Sequence, residues 1–132
     1  YGYADVPIEV ERTIRQPVNT DKRRLERILA NLLDNARHHG GGAVRISLEG
    51  DQRHGVRIAV EDAGPGVDDE EKLRIFERFA RGTQARHRVG TGLGLALVAE
   101  HAHALGGRAW VEDRPGGTGA RFVVFLPKGA RR

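Results

Sequence analysis

The chain has 132 residues, no cysteine and a net charge of +4, which arises from 22 basic and 18 acidic residues. This length fits a single domain with its own core, and we expect one domain over residues 1–132, excised from a longer protein, with a disordered tail at 128–132. The lack of cysteine excludes a disulfide framework and a thiol site, and no apolar run is long enough to span a membrane. Aromatic residues are only 5% of the chain, so we expect no base-stacking platform for nucleic acid.

Amphipathic helices alternate with pairs of strands along the chain. In order, we predict a strand at 8–14, a helix at Lys22–His39, strands at 43–50 and 55–63, a helix at 68–79, a polar loop at 80–90, a helix at 93–105, and strands at 108–113 and 120–127. Asp21 is placed to cap the first long helix, and Gly106 is placed to end the last one. The pattern predicts a two-layer α/β sandwich, with a mixed, mostly antiparallel sheet of about five strands covered on one face by about three helices.

Three alternating glycines, Gly90, Gly92 and Gly94, precede the last helix. No lysine follows a glycine, which excludes a Walker A loop, and Leu95 stands where a dinucleotide-binding fingerprint needs its third glycine. A protein-kinase glycine loop is excluded because the chain has no downstream HRD and DFG motifs. The helix start still offers free N–H groups to an anion, and a flexible hinge before a packed helix explains the glycines equally well.

Two asparagines mark one side of the first long helix. Asn31 and Asn35 are four residues apart and share a face, and His38 lies near them at the border of the apolar stripe. An amide oxygen is a suitable ligand for Mg²⁺, which takes few protein ligands and completes its shell with phosphate and water. The alternative is that these are ordinary polar residues at the edge of a buried helix.

Asp62 ends an apolar row on one strand. Val56, Ile58 and Val60 share its face by the two-residue period of a strand. A buried carboxylate needs donors, and such a group at the floor of a pocket suits an exocyclic amino group like that of adenine. The alternative is that Asp62 only begins the turn at "AGPG", where aspartate is favoured.

Taken together, the segments "NLLDNARHH", "DAGPG", "IFERFARG", "GTGLGLALV" and "GGTGARFVVFLP" resemble the N, G1, F and G2 boxes and the closing segment of one family. This is the ATP-binding catalytic domain of sensor histidine kinases, in the superfamily that also holds the gyrase, Hsp90 and MutL ATPases. The resemblance extends from about Ile8 to Pro127, and the order and separation of the motifs make it specific. It implies the Bergerat fold, with ATP and Mg²⁺ as cofactors.

The resemblance implies a role for each matching position. Asn35 corresponds to the Mg²⁺ ligand, Asn31 to its phosphate-side neighbour, and Asp62 to the carboxylate that reads adenine. Further nucleotide-binding positions shape the purine pocket, the phosphate side and the movable lid at 81–89; they are Gly64, Gly66, Val67, Phe79, Arg81, Gly90, Thr91, Gly92, Leu93, Gly94, Leu95 and Thr118. Phe76 and Phe79 would anchor one side of that lid.

The N box departs from the usual pattern at its end. His38 stands where the family usually has a lysine or arginine, and His39 where it has tyrosine or histidine. His39 can still stack on adenine. The catalytic positions implied are therefore Asn31, Asn35 and His38, where protonated His38 or a nearby arginine supplies the missing cation. The candidate arginines are Arg37, Arg81, Arg86 and Arg88. A surface pair of histidines at a helix end is the alternative.

Hydrolysing members of the superfamily have a glutamate where this chain has Asn31, and asparagine has no titratable group to activate water. The resemblance therefore implies that Mg-ATP is bound and its γ-phosphoryl group donated to a histidine. None of the six histidines has an acceptor-like context, so this fragment should show little turnover alone.

The implied partners are the acceptor-histidine dimerisation domain of the same protein and a response regulator receiver domain, with no nucleic acid and no direct membrane contact. The implied setting is the cytoplasmic part of a membrane-anchored sensor kinase. The alternatives are a serine kinase of the anti-sigma type and a degenerate nucleotide-binding module.

Overall fold

The computed structural model describes residues 8–10, 21–51, 54–77 and 94–127, which form a mixed sheet against helices. The elements are β1 (Ile8–Val10), α1 (Lys22–His39), β2 (Ala43–Asp51), β3 (Gly55–Asp62), α2 (Asp69–Lys72), α3 (Gly94–Ala104), β4 (Arg108–Asp113) and β5 (Ala120–Pro127). The strand order is β1-β2-β3-β5-β4; β1 is parallel to β2 and every other neighbouring pair is antiparallel. The predicted mixed, mostly antiparallel sheet is confirmed, with the short β1 as its fifth strand.

Helix α1 has the predicted bounds because its start and its buried face are both encoded locally. The Asp21 side chain accepts hydrogen bonds from the backbone N–H groups of Arg23 and Arg24, at 2.9 and 3.2 Å. These bonds satisfy two donors that a helix start otherwise leaves unpaired. The residues fully buried along α1 follow the helical period; they are Ile28, Leu32 and Ala36. Such a helix is held mainly by packing its apolar stripe against the core.

Helix α3 ends as the sequence predicts. Gly106 has a φ of +82°, its N–H donates to the His103 carbonyl at 2.9 Å, and the Gly107 N–H donates to the Ala102 carbonyl at 2.8 Å. This pair of bonds is the Schellman motif, in which glycine takes the left-handed conformation after the helix. It turns the chain directly into β4. Among the described residues, no helix has both the length and the apolar character needed to cross a membrane.

Helix α2 is shorter than predicted. The sequence predicts a helix over 68–79, but the helix covers only Asp69–Lys72 and gives way to turns. The turns bury Ile75, which is 3% exposed, and place the ring of Phe76 against Phe122, with centroids 6.3 Å apart. The same turns leave Leu73 88% exposed. Tertiary packing of this segment therefore outweighs its local helical propensity.

The core lies between one face of the sheet and the helices. Alternate residues of β3 and β5 point into it, together with the buried faces of α1 and α3; the strand residues are Val56, Ile58, Val60, Phe122, Val124 and Leu126. This alternation is the two-residue period that the sequence shows. The helices therefore cover one face of the sheet, as predicted.

The other face of the sheet carries a charged cluster around Arg121. The Arg121 guanidinium contacts Glu61 at 2.9 Å, Glu49 at 3.1 Å and Glu112 at 3.3 Å. These three carboxylates come from β3, β2 and β4, so one side chain of β5 connects four strands. Glu61 is only 2% exposed, and its burial is compensated by this pairing.

Candidate functional site

Asp62 lies at the end of β3, next to α1, and is fully buried. Its Oδ1 accepts hydrogen bonds from the backbone N–H groups of Gly64, at 3.0 Å, and Ala120, at 3.2 Å. The bond to Gly64 is the turn contact that aspartate favours, so Asp62 both shapes the turn and places a carboxylate beneath it. The sequence places Asp62 at the end of an apolar row, and the structure buries its carboxylate there, while its role in reading adenine stays a prediction.

Glycines pack closely around Asp62 and the turn that follows it. A Cβ atom on Gly40 would lie 2.3 Å from Cγ of Asp62, and one on Gly64 would lie 2.6 Å from Cα of Gly40. Gly119 has a φ of +122°, and its Cβ would lie 1.9 Å from the Asp62 carbonyl oxygen. The sequence prediction included Gly64 but not Gly40 or Gly119. The glycines of "HHGGG" and "GGTG" were a visible signal, but nothing in the sequence shows that these two segments meet at Asp62.

The two asparagines of α1 lie at the border of its buried stripe, as predicted. Asn31 and Asn35 are partly buried and alternate with the fully buried Leu32 and Ala36. The Nδ2 atom of Asn35 is inaccessible and has no hydrogen-bond partner among the described residues. Because a buried amide donor without a partner is costly, this atom indicates a position where a bound group would complete the bonding.

The start of α3 faces Asn31. A Cβ atom on Gly94 would lie 4.0 Å from Oδ1 of Asn31. The structure thus brings together the asparagine face of α1 and the glycine that opens α3, which are far apart in the sequence. The first N–H groups of a helix have no partner within the helix, and their positive end favours an anion.

The remaining predicted positions differ in their exposure. His38 is exposed and His39 partly buried, with ring centroids 6.4 Å apart, and Thr118 is exposed. Gly66 has a φ of +81°, while Val67 and Leu95 are each 8% exposed and belong to the core. The predicted residues Phe79, Arg81, Gly90, Thr91, Gly92 and Leu93 lie outside the described residues, as does the predicted lid.

The described elements thus form a two-layer sandwich that carries a buried aspartate at the end of β3, two asparagines on α1 and a helix that begins at a glycine. Residues 20–130 match the family described as "Histidine kinase-, DNA gyrase B-, and HSP90-like ATPase", and the chain belongs to this family. The predicted family and fold class are therefore confirmed.

Named relatives are histidine kinases. AfsQ2 of Streptomyces coelicolor, a signal transduction histidine-protein kinase, is 40% identical over 124 residues, which are 93% of this chain and 22% of that protein. PrrB of Mycobacterium tuberculosis, a sensor-type histidine kinase, is 47% identical over 97 residues, which are 74% of this chain and 21% of that protein. The chain therefore spans about a fifth of these relatives.

A solved structure supports the same assignment. The crystal structure of the ATP binding domain of PrrB from Mycobacterium tuberculosis aligns with a TM-score of 0.66 and 35% identity, covering 96% of this chain and 82% of that chain. In contrast to the whole relatives, this solved domain is matched over most of its length.

Proposed function

We propose that this domain binds Mg-ATP and donates the γ-phosphoryl group to a histidine on the dimerisation domain of a two-component sensor kinase. The family and the names of the relatives support the kinase class. The observation that carries the proposal is the fully buried Asp62, which two backbone N–H groups fix at the junction of β3, α1 and the start of β5.

Asp62 is proposed to read the adenine base. A carboxylate accepts hydrogen bonds, so it selects a purine that carries an exocyclic amino group over one that carries a carbonyl group there. Because two backbone N–H groups bond its Oδ1 and Gly40 packs directly against it, the carboxylate is held in position before a nucleotide binds. Fixed partners of this kind raise affinity by reducing the entropy lost on binding. Gly66, Val67, His39 and Thr118 are proposed to complete the base-binding side.

The phosphate side is proposed to lie between α1 and α3. Asn35, whose Nδ2 is buried without a partner among the described residues, is the proposed Mg²⁺ ligand through its side-chain oxygen. Asn31 lies across from the start of α3, where the helix N-terminus favours the phosphate charge. When bound, Mg²⁺ would neutralise charge on the phosphates.

Phosphoryl transfer from this site depends on positioning rather than on a base supplied by this chain. Asn31 has no group that can take a proton from water, which disfavours hydrolysis. In the proposed step, the unprotonated nitrogen of the acceptor imidazole bonds to the γ-phosphorus while the bond from phosphorus to the β–γ bridging oxygen breaks, and ADP leaves. The other ring nitrogen then loses its proton to solvent. His38, when protonated, or Arg37 beside it is proposed to hold the γ-phosphate.

The partners follow from this step. The acceptor histidine is proposed to lie on the dimerisation domain of the same protein, and a response regulator receiver domain is proposed to take the phosphoryl group from it. We place the domain in the cytoplasm, as part of a membrane-anchored kinase. On its own it should turn over little ATP, because the nucleophile is on the other domain.

Labelled phosphoryl transfer tests the proposal. The chain is incubated with [γ-³²P]ATP, Mg²⁺ and a separately produced acceptor domain of the same protein. We expect label on the acceptor that is stable to alkali and lost in acid, as phosphohistidine is. Asn35→Ala should abolish most of this label, whereas Glu26→Ala, an exposed change on the same helix, should leave it unchanged.

Two results would refute the proposed transfer to histidine. Label that is stable to acid and lost in alkali would show serine phosphorylation and favour the anti-sigma alternative. Nucleotide binding by the domain without any label on the acceptor would favour a degenerate binding module.

A further inference from the structure

The sheet face that points away from the helices carries a row of side chains whose register is fixed by strand pairing. Glu49 on β2 is paired with Arg57 on β3, Arg57 with Phe125 on β5, and Phe125 with Arg108 on β4. Side chains paired in this way lie on the same face and within contact range of each other. The row crosses four strands at the Gly55 end of β3, which is the end opposite Asp62.

Glu49, the acidic residue of this row, forms its ion pair with a residue outside the row. Glu49 bonds Arg121 at 3.1 Å, so it is held in the Arg121 cluster. Neither Arg57 nor Arg108 forms an ion pair with a described carboxylate, and both side chains are exposed. The Arg108 guanidinium lies 4.9 Å above the centroid of the Trp110 ring. Two arginines thus flank Phe125 with their charge open to a ligand.

A groove lies between these side chains. Its volume is about 590 Å³, and its described lining is made by Arg57, Arg108, Trp110, Phe125, His54 and the glycines at 50, 55, 106 and 107. No described lining residue is acidic. The Trp110 ring is oriented by a 2.8 Å hydrogen bond from its Nε1 to Glu112. The groove therefore combines cations with two aromatic rings, and its volume is in the range of known ligand sites.

We infer that this groove binds an acidic peptide segment that carries an aromatic or aliphatic side chain. Guanidinium groups match carboxylates in a planar, two-bond geometry, and the rings of Trp110 and Phe125 offer an apolar surface between the two arginines. Charge complementarity favours a negatively charged partner over a second copy of this chain, which itself has a net charge of +4. The inference is independent of nucleotide binding, because the groove and Asp62 lie at opposite ends of β3.

Fluorescence provides a direct test, because Trp110 is the single tryptophan of the chain. The chain is titrated with a blocked peptide Glu-Asp-Phe-Glu-Asp and, as the matched probe, with Lys-Lys-Phe-Lys-Lys. We expect a saturable change in tryptophan emission with the acidic peptide only, weakened by added salt. Arg57→Ala and Arg108→Ala should each weaken binding about tenfold or more, as expected for loss of one charge-assisted hydrogen bond.

Arg23→Ala serves as the matched control, because Arg23 is an exposed arginine on α1 whose side chain has no role in the proposed nucleotide site. Thermal melting of each variant, read by circular dichroism, shows that the fold is retained. The inference is overturned if the acidic peptide gives no saturable change, if the lysine peptide binds equally well, or if both groove variants bind like the unsubstituted chain. It is also overturned if anionic vesicles alone shift the emission, or if sedimentation shows a dimer that Arg57→Ala dissociates.

Discussion

Gly40 and Asp62 are packed so closely that a Cβ atom on residue 40 would lie 2.3 Å from Cγ of the aspartate. The contact joins the end of α1 to the end of β3, the two elements that carry the asparagines and the carboxylate. Gly40 has a φ of −117°, which any residue adopts, so the glycine is required by space and not by backbone conformation. The absence of a side chain here is what lets the carboxylate sit at the junction.

Gly40→Ala should therefore displace the Asp62 side chain. We expect a loss of about 1–3 kcal/mol in the free energy of unfolding, as for an overpacked core, together with weaker nucleotide binding. Urea denaturation and titration calorimetry measure the two effects. Gly116→Ala is the control, because that site has a φ of +78° and open space, so it should lower stability by about 1 kcal/mol or more without changing nucleotide affinity. Wild-type affinity and stability in Gly40→Ala would contradict the steric argument.

Arg121→Met should destabilise the sheet by roughly 3 kcal/mol, because it leaves the buried Glu61 carboxylate without its 2.9 Å partner. Arg114 is a further cation near Glu61, with its Nε 3.6 Å from a carboxylate oxygen. Urea denaturation measures the loss, and Arg37→Met, which breaks an exposed pair, should change stability by less than about 1 kcal/mol. Adding Glu61→Gln to Arg121→Met should recover part of the stability. Equal effects of the two methionine variants would contradict this view of the cluster.

His101 should make stability depend on pH. Burial, together with the charges of Arg24 and Arg27, lowers the pKa of His101 below its ordinary value. Arg24 Nη1 also lies 3.0 Å from His101 Nδ1, which suits a neutral ring that accepts the bond. The unfolded chain then takes up a proton at higher pH than the folded one, so the free energy of unfolding falls as pH drops through about 6.5.

His101→Gln should reduce this fall. Urea denaturation at about pH 7.5 and pH 5.5 measures it, with His103→Gln on the exposed side of α3 as the control. The control should show the same fall as the unsubstituted chain. Parallel behaviour of His101→Gln and the unsubstituted chain would show that His101 is not the group responsible.

Much of the fold could be predicted from local signals. Helix α1 has its predicted bounds because an N-cap aspartate and a 3.6-residue apolar period coincide, and Gly106 ends α3 by a local conformational preference. The length of α2 could not be predicted, because the burial of Ile75 and the contact of Phe76 with Phe122 depend on the rest of the molecule. The Arg121 cluster requires the register of four strands, which residue spacing along one strand does not contain.

In the candidate site, too, some features follow from local sequence signals and others depend on contacts between distant segments. The placement of Asp62 and of the asparagine pair follows from the period of their own strand and helix, whereas their roles follow only from the family resemblance and stay predictions. Gly40 and Gly119 were missed because their role exists only where two distant segments meet Asp62. Close packing between two elements depends on the whole fold, so the spacing of residues within one segment does not reveal it.

Titration calorimetry of Mg-ATP with the chain and with Asp62→Asn tests the central claim most directly. Asparagine keeps a side-chain oxygen that can accept hydrogen bonds from the N–H groups of Gly64 and Ala120, so the variant should fold. Thermal melting checks that it does. We expect the unsubstituted chain to bind Mg-ATP and the variant to bind it about 10- to 100-fold more weakly, because the variant loses a hydrogen bond between the adenine amino group and a charged carboxylate. No binding by the unsubstituted chain, or equal affinity in the folded variant, would contradict the account.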